Sequence, residues 1–516
     1  MMISQSIIIC DKNYEQINEF QALSGWIDQP KNKAQFYLQN SQSVTLMNND
    51  FQKCGYSSQG GLFSLQKTTL TDYNSIYKNI SGQYGGVLFA QDSIISITQS
   101  KFIGNLAKTG GVFYIVSNSN LSISYCQFQQ NQAVQSAGVL YVSTQSIFNV
   151  KGSIFEQNKA EENSVIEVLN TFLQENVIII NCQFLDNVAA KNTISMIYSN
   201  VQIKDTLFNN NYAKYRSKNL LLEFVNITIQ NTIFQNKPEN KLALINDETS
   251  GGALYILGDS VIRISRSSFI NNQANSKGGA IYTSGFESIF IGEGTKFINN
   301  SAVENGEDIY VTNSLNMLTL NNVFVQNLKS KNSIYIEQAI LNAENLVMKD
   351  LNQNYESKMG AGIFCNYCKS FKIKSSQFIN LKSIVGGAIS IIEIDINKGK
   401  TQEQKEEKFY ITDSLFQNCT AQIGGAIYAE NAQSVKIVNS TFSENKALIV
   451  KNSLLQITNK GSGGAVYYTC NSQQLNCKMK FEGFNIFQDN LAEVKGGALF
   501  WDQLEPEFSR ILKQND

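Results

Sequence analysis

The stretch FQNCTAQIGGAIY, from Phe416 to Tyr428, decides the fold because close copies of it recur along the chain. Two of these copies are FINNQANSKGGAIY at 269–282 and FQDNLAEVKGGALF at 487–500. Each copy has an aromatic residue, a residue three positions later that is usually Asn, and then a Gly-Gly-Ala-aliphatic-aromatic segment. The copies recur about every 26 residues, and repeats of roughly 20–50 residues are typical of solenoids. The sequence therefore predicts one structural unit, a coil, that is repeated many times.

The aromatic position, here called the anchor, is preceded by a segment in which apolar and polar residues alternate. Ile95 and Ile97, ahead of Phe102, show the pattern, which indicates a strand with one buried face. Stacked coils would place anchor on anchor and Asn on Asn, with the amides in a hydrogen-bonded ladder. The two glycines suit a tight corner where one needs a positive φ and neither has room for a bulky side chain. The predicted anchors are Phe51, Tyr77, Phe102, Phe128, Phe155, Phe184, Phe208, Phe234, Phe269, Phe297, Phe324, Leu351, Phe378, Phe416, Phe442 and Phe487.

These features predict an all-β protein, a single right-handed parallel β-helix solenoid of about sixteen coils with terminal caps. The alternation of F-x-x-N with G-G-A-[ILV] resembles the repeat of the polymorphic outer membrane protein family of chlamydiae. The resemblance implies a right-handed β-helix of the pectin-lyase-like superfamily, as in surface proteins involved in adhesion. The sequence shows no counterpart of that family's membrane barrel, so autotransport is not implied. Because the shared motifs are architectural, they assign no functional residue.

The chain divides into three predicted parts around this repeat. Residues 1–45 are expected to form an N-terminal cap and lead-in coil, with Asn13 starting a short helix. Residues 46–500 are expected to form the β-helix, and residues 501–516 a C-terminal cap helix starting at Pro506, with a truncated next coil as the alternative. Insertions between coils are candidate binding loops, because long loops on a rigid scaffold often carry specificity; the alternative is tolerated surface decoration without a binding role. They lie at 237–250, 397–408, 448–462 and 469–480.

Composition excludes several classes of function. A net charge of -1 with 16% charged residues leaves no basic field for nucleic acid. The chain has no histidine, which excludes Ser-His-Asp and Cys-His catalysis and histidine zinc sites. No apolar run is long enough for a transmembrane helix. The first ten residues, MMISQSIIIC, lack the basic region and apolar core of a signal peptide. No cofactor or metal is expected.

One pair of carboxylates is a candidate for catalysis. Alternation in IIEIDIN is expected to turn Glu393 and Asp395 to the outer face, about 6.5–7 Å apart along the strand. That spacing is compatible with an inverting glycoside hydrolase. The favoured interpretation is an ordinary solvated strand face, and a polysaccharide lyase or hydrolase remains the alternative.

Eight of the nine cysteines fall into two groups. Those at inward or turn positions of the repeat are expected to be buried small apolar groups. Those that lie close in sequence at loops are expected to form extracellular disulfides. The first group contains Cys54, Cys126, Cys182 and Cys419, and the second contains Cys365 with Cys368 and Cys470 with Cys477.

N-x-[ST] sequons are candidate glycosylation sites and offer weak support for a secretory route. They occur at Asn79, Asn120, Asn226, Asn299, Asn418 and Asn439. Together with the resemblance, they favour a non-enzymatic extracellular or cell-surface protein, structural or adhesive. Its unknown protein or glycan partner would bind the solenoid face or loops. The alternatives are a polysaccharide-active enzyme and an intracellular structural rod.

Overall fold

The computed structural model describes most of the chain as β-strands and connecting turns. The described residues are 2–4, 7–9, 34–55, 58–170, 176–237, 248–314, 316–327, 331–351, 359–393, 408–449, 459–470 and 477–509. They contain no helix. The strands form about 15 turns of a parallel β-solenoid, close to the predicted sixteen. The chain splits into two compact units, Met1–Arg263 (unit 1) and Ile264–Asp516 (unit 2).

A coil has a first strand, an anchor strand, often a short connecting strand, and a glycine strand that follows the Gly-Gly corner. In unit 1 the first strands are Met2–Ser4, Val44–Met47, Thr69–Tyr73, Ile94–Thr98, Asn120–Ser124, Ile147–Lys151, Asn176–Ile180, Asn200–Lys204 and Asn226–Gln230. The anchor strands are Ile7–Ile9, Asp50–Gln52, Ile76–Lys78, Lys101–Ile103, Gln127–Gln129, Ile154–Glu156, Gln183–Leu185, Leu207–Asn209 and Ile233–Gln235. The connecting strands are Ser81–Tyr84, Leu106–Thr109, Gln132–Ser136, Val188–Ala189, Tyr212–Ala213, Tyr215–Arg216 and Glu248–Thr249. The glycine strands are Phe36–Gln39, Phe63–Gln66, Leu88–Gln91, Phe113–Val116, Leu140–Ser143, Asn163–Leu169, Asn192–Ile197, Leu220–Glu223 and Leu254–Leu257.

The strand Val261–Ser265 contains the boundary between the units, and unit 2 repeats the same plan. Its first strands are Ser288–Gly292, Ser370–Lys374, Phe409–Thr412, Val435–Val438, Met479–Glu482 and Glu507–Phe508. Its anchor strands are Ser268–Ile270, Lys296–Ile298, Gln377–Ile379, Leu415–Gln417, Thr441–Ser443 and Ile486–Gln488. In Met317–Gln326 and Ile340–Lys349 the first and anchor strands are continuous. Its connecting strands are Gln273–Ala274, Ser301–Ala302, Thr420–Ala421, Lys446–Ala447 and Leu491–Ala492. Its glycine strands are Ile281–Ser284, Ile309–Thr312, Ile334–Glu337, Ile363–Asn366, Ile389–Ile392, Ile427–Glu430, Val466–Thr469 and Leu499–Asp502.

The anchors stack as predicted within each unit. In unit 1 Phe155 pairs in register with Phe184, and their ring centroids lie 4.7 Å apart with the planes only 3° from parallel. In unit 2 the rings of Phe378 and Phe416 stack at 4.8 Å. These side chains are fully buried. The strand spacing of a sheet therefore also sets the ring spacing, and each anchor packs on the ones above and below.

The predicted asparagine ladder is confirmed. The Nδ2 of Asn158 donates to the carbonyl of Phe128, 3.0 Å away, and to Oδ1 of Asn187, also 3.0 Å away. Its own Oδ1 accepts from the backbone N–H and the Nδ2 of Asn131, both at 3.0 Å. Asn445 of unit 2 donates in the same way to the carbonyl of Phe416 and to Oδ1 of Asn490, and its Oδ1 accepts the backbone N–H of Cys419. Each amide thus satisfies polar backbone groups that the coil turn leaves unpaired inside the core.

The Gly-Gly corner is also confirmed. Gly424 has φ +61°, and a Cβ there would lie 2.3 Å from the carbonyl oxygen of Ile427. A Cβ on Gly425 would lie 2.0 Å from the carbonyl oxygen of Gly464 in the next coil. The two glycines are required for different reasons, the first by its left-handed backbone and the second by close coil stacking.

The structure corrects two anchors. Phe324 lies opposite Lys296 on the outer face, and Val325 pairs with Phe297 in the core. One coil further, Met348 pairs with Phe378, so Met348 rather than Leu351 is the anchor. Successive strand residues point to opposite faces, so a displacement of one residue exchanges inside for outside.

The predicted C-terminal helix is wrong as far as the structure describes it. Leu499–Asp502 and Glu507–Phe508 are strands, and the ring of Phe508 stacks on Phe481 at 5.3 Å. Pairing with the preceding coil outweighs the helical pattern of a short segment. The rest of that prediction, 510–516, and the helix predicted from Asn13 lie outside the described residues.

Candidate functional site

Glu393, the first predicted catalytic carboxylate, is committed to structural bonds. Its glycine strand ends at Ile392, and its side chain is only 12% exposed. One carboxylate oxygen lies 2.5 Å from Nζ of Lys408, and the other accepts the backbone N–H of Gln433 at 2.9 Å. Lys408 also donates to the side chain of Gln433 at 2.8 Å. Asp395, the predicted partner, lies outside the described residues.

The residues before Glu393 point to the opposite faces from those that the sequence predicts. Ile391 points into the core and is fully buried, whereas Ile392 is half-buried on the outer face. The expected alternation with Ile392 inward is therefore wrong, because pairing of Ile391 with Ala429 sets the register. Glu393 occupies the turn after the strand rather than a strand face.

The cysteines separate into bonded and free groups. Cys365 is joined to Cys368 and Cys470 to Cys477, with Cα atoms 5.4 and 6.2 Å apart. Cys54 is fully buried, as predicted, and it is disulfide-bonded, which the sequence interpretation did not foresee.

The remaining described cysteines are buried thiols. Burial raises the pKa of Cys126 to about 12, that of Cys182 to about 11 and that of Cys419 to about 12. These thiols stay protonated at neutral pH and are poor nucleophiles.

The sequon asparagines occupy two kinds of position. Asn120 and Asn226 are exposed on first strands, and Asn299 and Asn439 are exposed in turns. Asn418 is half-buried, and its Nδ2 donates to Asn380 at 2.9 Å. Asn79 is also half-buried. Glycosylation of these residues stays a prediction, with the four exposed ones the most accessible acceptors.

The outer face of the glycine strands carries a row of stacked aromatic rings. In unit 2 the rings of Tyr310 and Tyr335 lie 4.8 Å apart and are parallel within 5°. The hydroxyl of Tyr310 donates to Glu337 at 3.0 Å, which also accepts from Thr312 at 3.3 Å. Asn366 donates to the hydroxyl of Tyr335 at 2.8 Å, and burial raises the pKa of that hydroxyl to about 12. This row is internally satisfied, so it is a rigid wall rather than a set of free ligand contacts.

A cavity of about 300 Å³ lies next to this row, at the turn after the glycine strands of unit 2. We call it the corner cavity, and it is lined by Asn313, Ser314, Gln338, Tyr367 and Lys369. Asn313, Gln338 and Lys369 are exposed and Tyr367 is half-buried. Within the described part of the chain, the side chains of these four residues form no hydrogen bond or ion pair with the protein. They are available to a ligand.

Two equivalent turns elsewhere are filled by side chains that contact each other. In unit 1 the rings of Tyr198 and Phe224 stack at 5.0 Å and are parallel within 5°. In unit 2 Glu393 is bonded to Lys408. The corner cavity is therefore a local departure from a filled corner. Sequence reasoning missed it, because its residues come from three coils and carry no motif.

One buried carboxylate stands out away from this cavity. Asp308 is fully buried where the repeat normally has Ala. It accepts from Nδ2 of Asn300 at 2.8 Å and from the hydroxyl of Ser333 at 2.7 Å. Burial raises the pKa of Asp308 to about 7, against the two hydrogen bonds, which lower it. Its environment holds the carboxyl in place and leaves no open path to a substrate.

The described residues include neither a cluster of three metal-ligating side chains nor a helix long and apolar enough to cross a membrane. The family model of the right-handed β-helix region matches residues 30–173. The family model of the Chlamydia polymorphic membrane protein repeat matches residues 266–284. A transmembrane domain-containing protein of Dictyostelium discoideum is 26% identical over 297 residues, which cover 54% of this chain. The match spans 18% of that relative's length.

Proposed function

From a right-handed parallel β-helix with repeats of the polymorphic membrane protein type, we propose a non-enzymatic protein of the cell surface or extracellular space. Its role is structural or adhesive, and it presents side chains from a rigid scaffold to a protein or glycan partner. The observation that carries this proposal is the contrast between two turns of unit 2. The one described candidate catalytic group, Glu393, is tied to Lys408, whereas the corner cavity holds uncommitted polar groups.

The scaffold supports this role because its coils fix outward groups without further ordering. Stacked rings, buried amides and tight corners leave the coil backbone little freedom. A ligand that binds such a surface therefore loses less free energy to ordering the protein. Disulfides at Cys365–Cys368 and Cys470–Cys477 agree with an oxidising compartment.

Adhesion is tested with beads coated with the purified chain. We expect these beads to attach to cultured cells and to immobilised glycoproteins more strongly than beads coated with the same chain after irreversible heat unfolding. Equal attachment by folded and unfolded protein would mean that the scaffold plays no part.

The enzymatic alternative has its own test. Polygalacturonate and neutral glucans are incubated with the chain, and unsaturated products and new reducing ends are both followed. We expect no turnover. Turnover that is abolished by Glu393→Gln or Asp395→Asn would establish the enzyme instead.

Location is tested on protein isolated from its natural source. A mobility shift after endoglycosidase treatment is expected, with the loss of Asn120 and Asn226 together reducing it. An unshifted chain with reduced Cys365 and Cys368 would favour the intracellular rod.

A further inference from the structure

The corner cavity is lined by two side-chain amides, an aromatic ring and one lysine ammonium, which is the chemistry of a site for an anionic sugar. We propose that it binds a single acidic sugar residue at the end of a glycan, with the sugar carboxylate at Lys369. This inference rests on the proposed binding function and names the ligand class of that surface.

Three coils place the cavity walls in one column. Asn313, Gln338 and Tyr367 each follow a glycine strand directly, and these three strands are hydrogen-bonded neighbours in register. All three residues have left-handed backbones, with φ of 50°, 52° and 54°. The same turn conformation directs the three side chains outward side by side, about one strand spacing apart. The column is therefore preformed by the coil stack.

The disulfide Cys365–Cys368 holds the wall of the cavity that Tyr367 forms. Cys365 and Cys368 are both buried, and their bond encloses Tyr367. The backbone N–H of Tyr367 donates to the carbonyl of Ile392 at 2.9 Å, and that of Lys369 donates to Ala339 at 3.0 Å. The backbone that carries the Tyr367 ring and the Lys369 ammonium group is thus hydrogen-bonded to the coils on both sides. Fixing the backbone of these residues in advance reduces the entropy lost when a ligand binds.

The charge of the cavity selects an anion. Lys369 has no carboxylate within ion-pair distance among the described residues, whereas Glu337, the nearest acid in sequence to the cavity wall, is bonded to two hydroxyls. Lys374, on the following strand, is by contrast paired with Glu344 at 2.8 Å. A carboxylate at Lys369 would gain a charge-assisted hydrogen bond without displacing a protein partner.

The remaining groups fit a sugar ring. The amides of Asn313 and Gln338 both donate and accept, as vicinal hydroxyls require, whereas the buried hydroxyl of Ser314 already donates to the carbonyl of Phe286 at 3.3 Å. The ring of Tyr367 supplies an apolar wall for the C–H face of the sugar. A volume of about 300 Å³ accommodates one monosaccharide unit and leaves the rest of the glycan outside.

Binding is measured by isothermal titration calorimetry and saturation-transfer NMR on the full chain. The probes are 3′-sialyllactose, a glucuronic acid-terminated disaccharide, and lactose as the neutral control. We expect millimolar or tighter binding of an acidic probe, and at least tenfold weaker binding of lactose. The two acidic probes distinguish a sialic acid from a uronic acid as the source of the carboxylate.

Variants place the ligand. Lys369→Gln is expected to weaken acidic-sugar binding about tenfold or more, and Gln338→Glu to do the same through charge repulsion. Lys296→Gln, which removes an exposed lysine of unit 2 outside the cavity lining, is expected to leave binding unchanged. All three positions are exposed, so these variants should fold normally.

Three outcomes overturn the inference: no acidic probe binds, lactose binds as well as the acidic probes, or Lys369→Gln binds like the wild type. If the coated beads still attach to cells in any of these cases, the proposed adhesive function stands and only its assignment to the corner cavity fails.

Discussion

At the scale of single residues, the ladder asparagine Asn158 is satisfied by partners one coil away. Asn158 makes four hydrogen bonds to residues 27 to 30 positions distant in the chain. No local turn could satisfy the same groups, because they come from neighbouring coils. The cost of losing such a residue is therefore set by the polar groups it leaves unpaired.

Asn158→Ala is expected to lower the free energy of unfolding by about 3 kcal/mol, since it leaves several buried backbone and amide groups without partners. Gln129→Ala, on the outer face of the neighbouring coil, is the control; it removes one half-buried hydrogen bond to Glu156, with an expected loss below about 0.5 kcal/mol. Urea denaturation of both variants measures the difference. A similar loss for the two would show that the ladder adds nothing specific.

Asp308 predicts a pH effect on stability. Its pKa is raised from 3.8 to about 7, so between these values the folded state keeps a proton that the unfolded state has lost. The stabilising contribution is complete below pH 3.8 and is lost as the pH rises through about 7. Asp308→Asn stays neutral, so it is expected to match the wild type near pH 4 and to exceed it near pH 8 by up to about 4 kcal/mol.

Urea midpoints at the two pH values measure the Asp308 effect. Asp413→Asn, in an exposed turn of the same unit, is the control and should change neither value appreciably. If the Asp308→Asn variant is less stable than the wild type at pH 8, the buried charge of Asp308 does not destabilise the folded protein.

At the scale of the structural element, the glycine corner lets the chain turn tightly into the glycine strand. A Cβ on Gly306 would come within 2.9 Å of the Cβ of Tyr310 in the same coil. The nearest atom would be the carbonyl oxygen of Ile309, 2.5 Å away, so the first corner position has no room for a Cβ.

The variants Gly424→Ala and Gly285→Ala separate the cost of backbone strain from the cost of a steric clash. Both residues have left-handed φ, +61° and +66°, but only Gly424 has backbone atoms within collision distance, and Gly285 has none within 4 Å. We expect Gly285→Ala to cost about 1–2 kcal/mol from the backbone conformation alone. Gly424→Ala should cost about 1–3 kcal/mol more, because the Ile427 carbonyl must move. Thermal unfolding compares them, and equal costs would exclude a steric role for the corner.

At the scale of the whole molecule, each coil contacts mainly the coils beside it. The parallel pairings join strands that are one repeat apart in the chain, and the ring stacks and amide ladders follow them. Stability in such a protein is a sum of local terms with nearest-neighbour coupling. A defect in one coil should therefore spread only a short distance.

Hydrogen exchange of the Asn158→Ala variant tests this locality. Amides in the coils that contain Asn131, Asn158 and Asn187 are expected to exchange faster, whereas those around Asn445 should keep wild-type rates. The same acceleration at every coil would instead indicate a single all-or-none unfolding unit.

The sequence alone determined the coil and how it stacks. The buried Phe155–Phe184 pair, the ladder through Asn158 and the glycine corner at Gly424 were all predictable. They were predictable because each inward position repeats at every coil, so that a residue and its stacking partner share one pattern. Where the pattern weakens, at Val325 and Met348, the facing could not be assigned, since an offset of one residue reverses it.

Only the tertiary structure decided what the outward residues do. It placed Glu393 against Lys408, bonded Cys54, and brought Asn313, Gln338 and Lys369 around one cavity. These outward positions have no common pattern, so their partners depend on which coils lie adjacent and in which register. The repeat specifies the buried residues of a solenoid. Differences between repeats specify its surface chemistry, and their contacts are determined only when the coils are stacked.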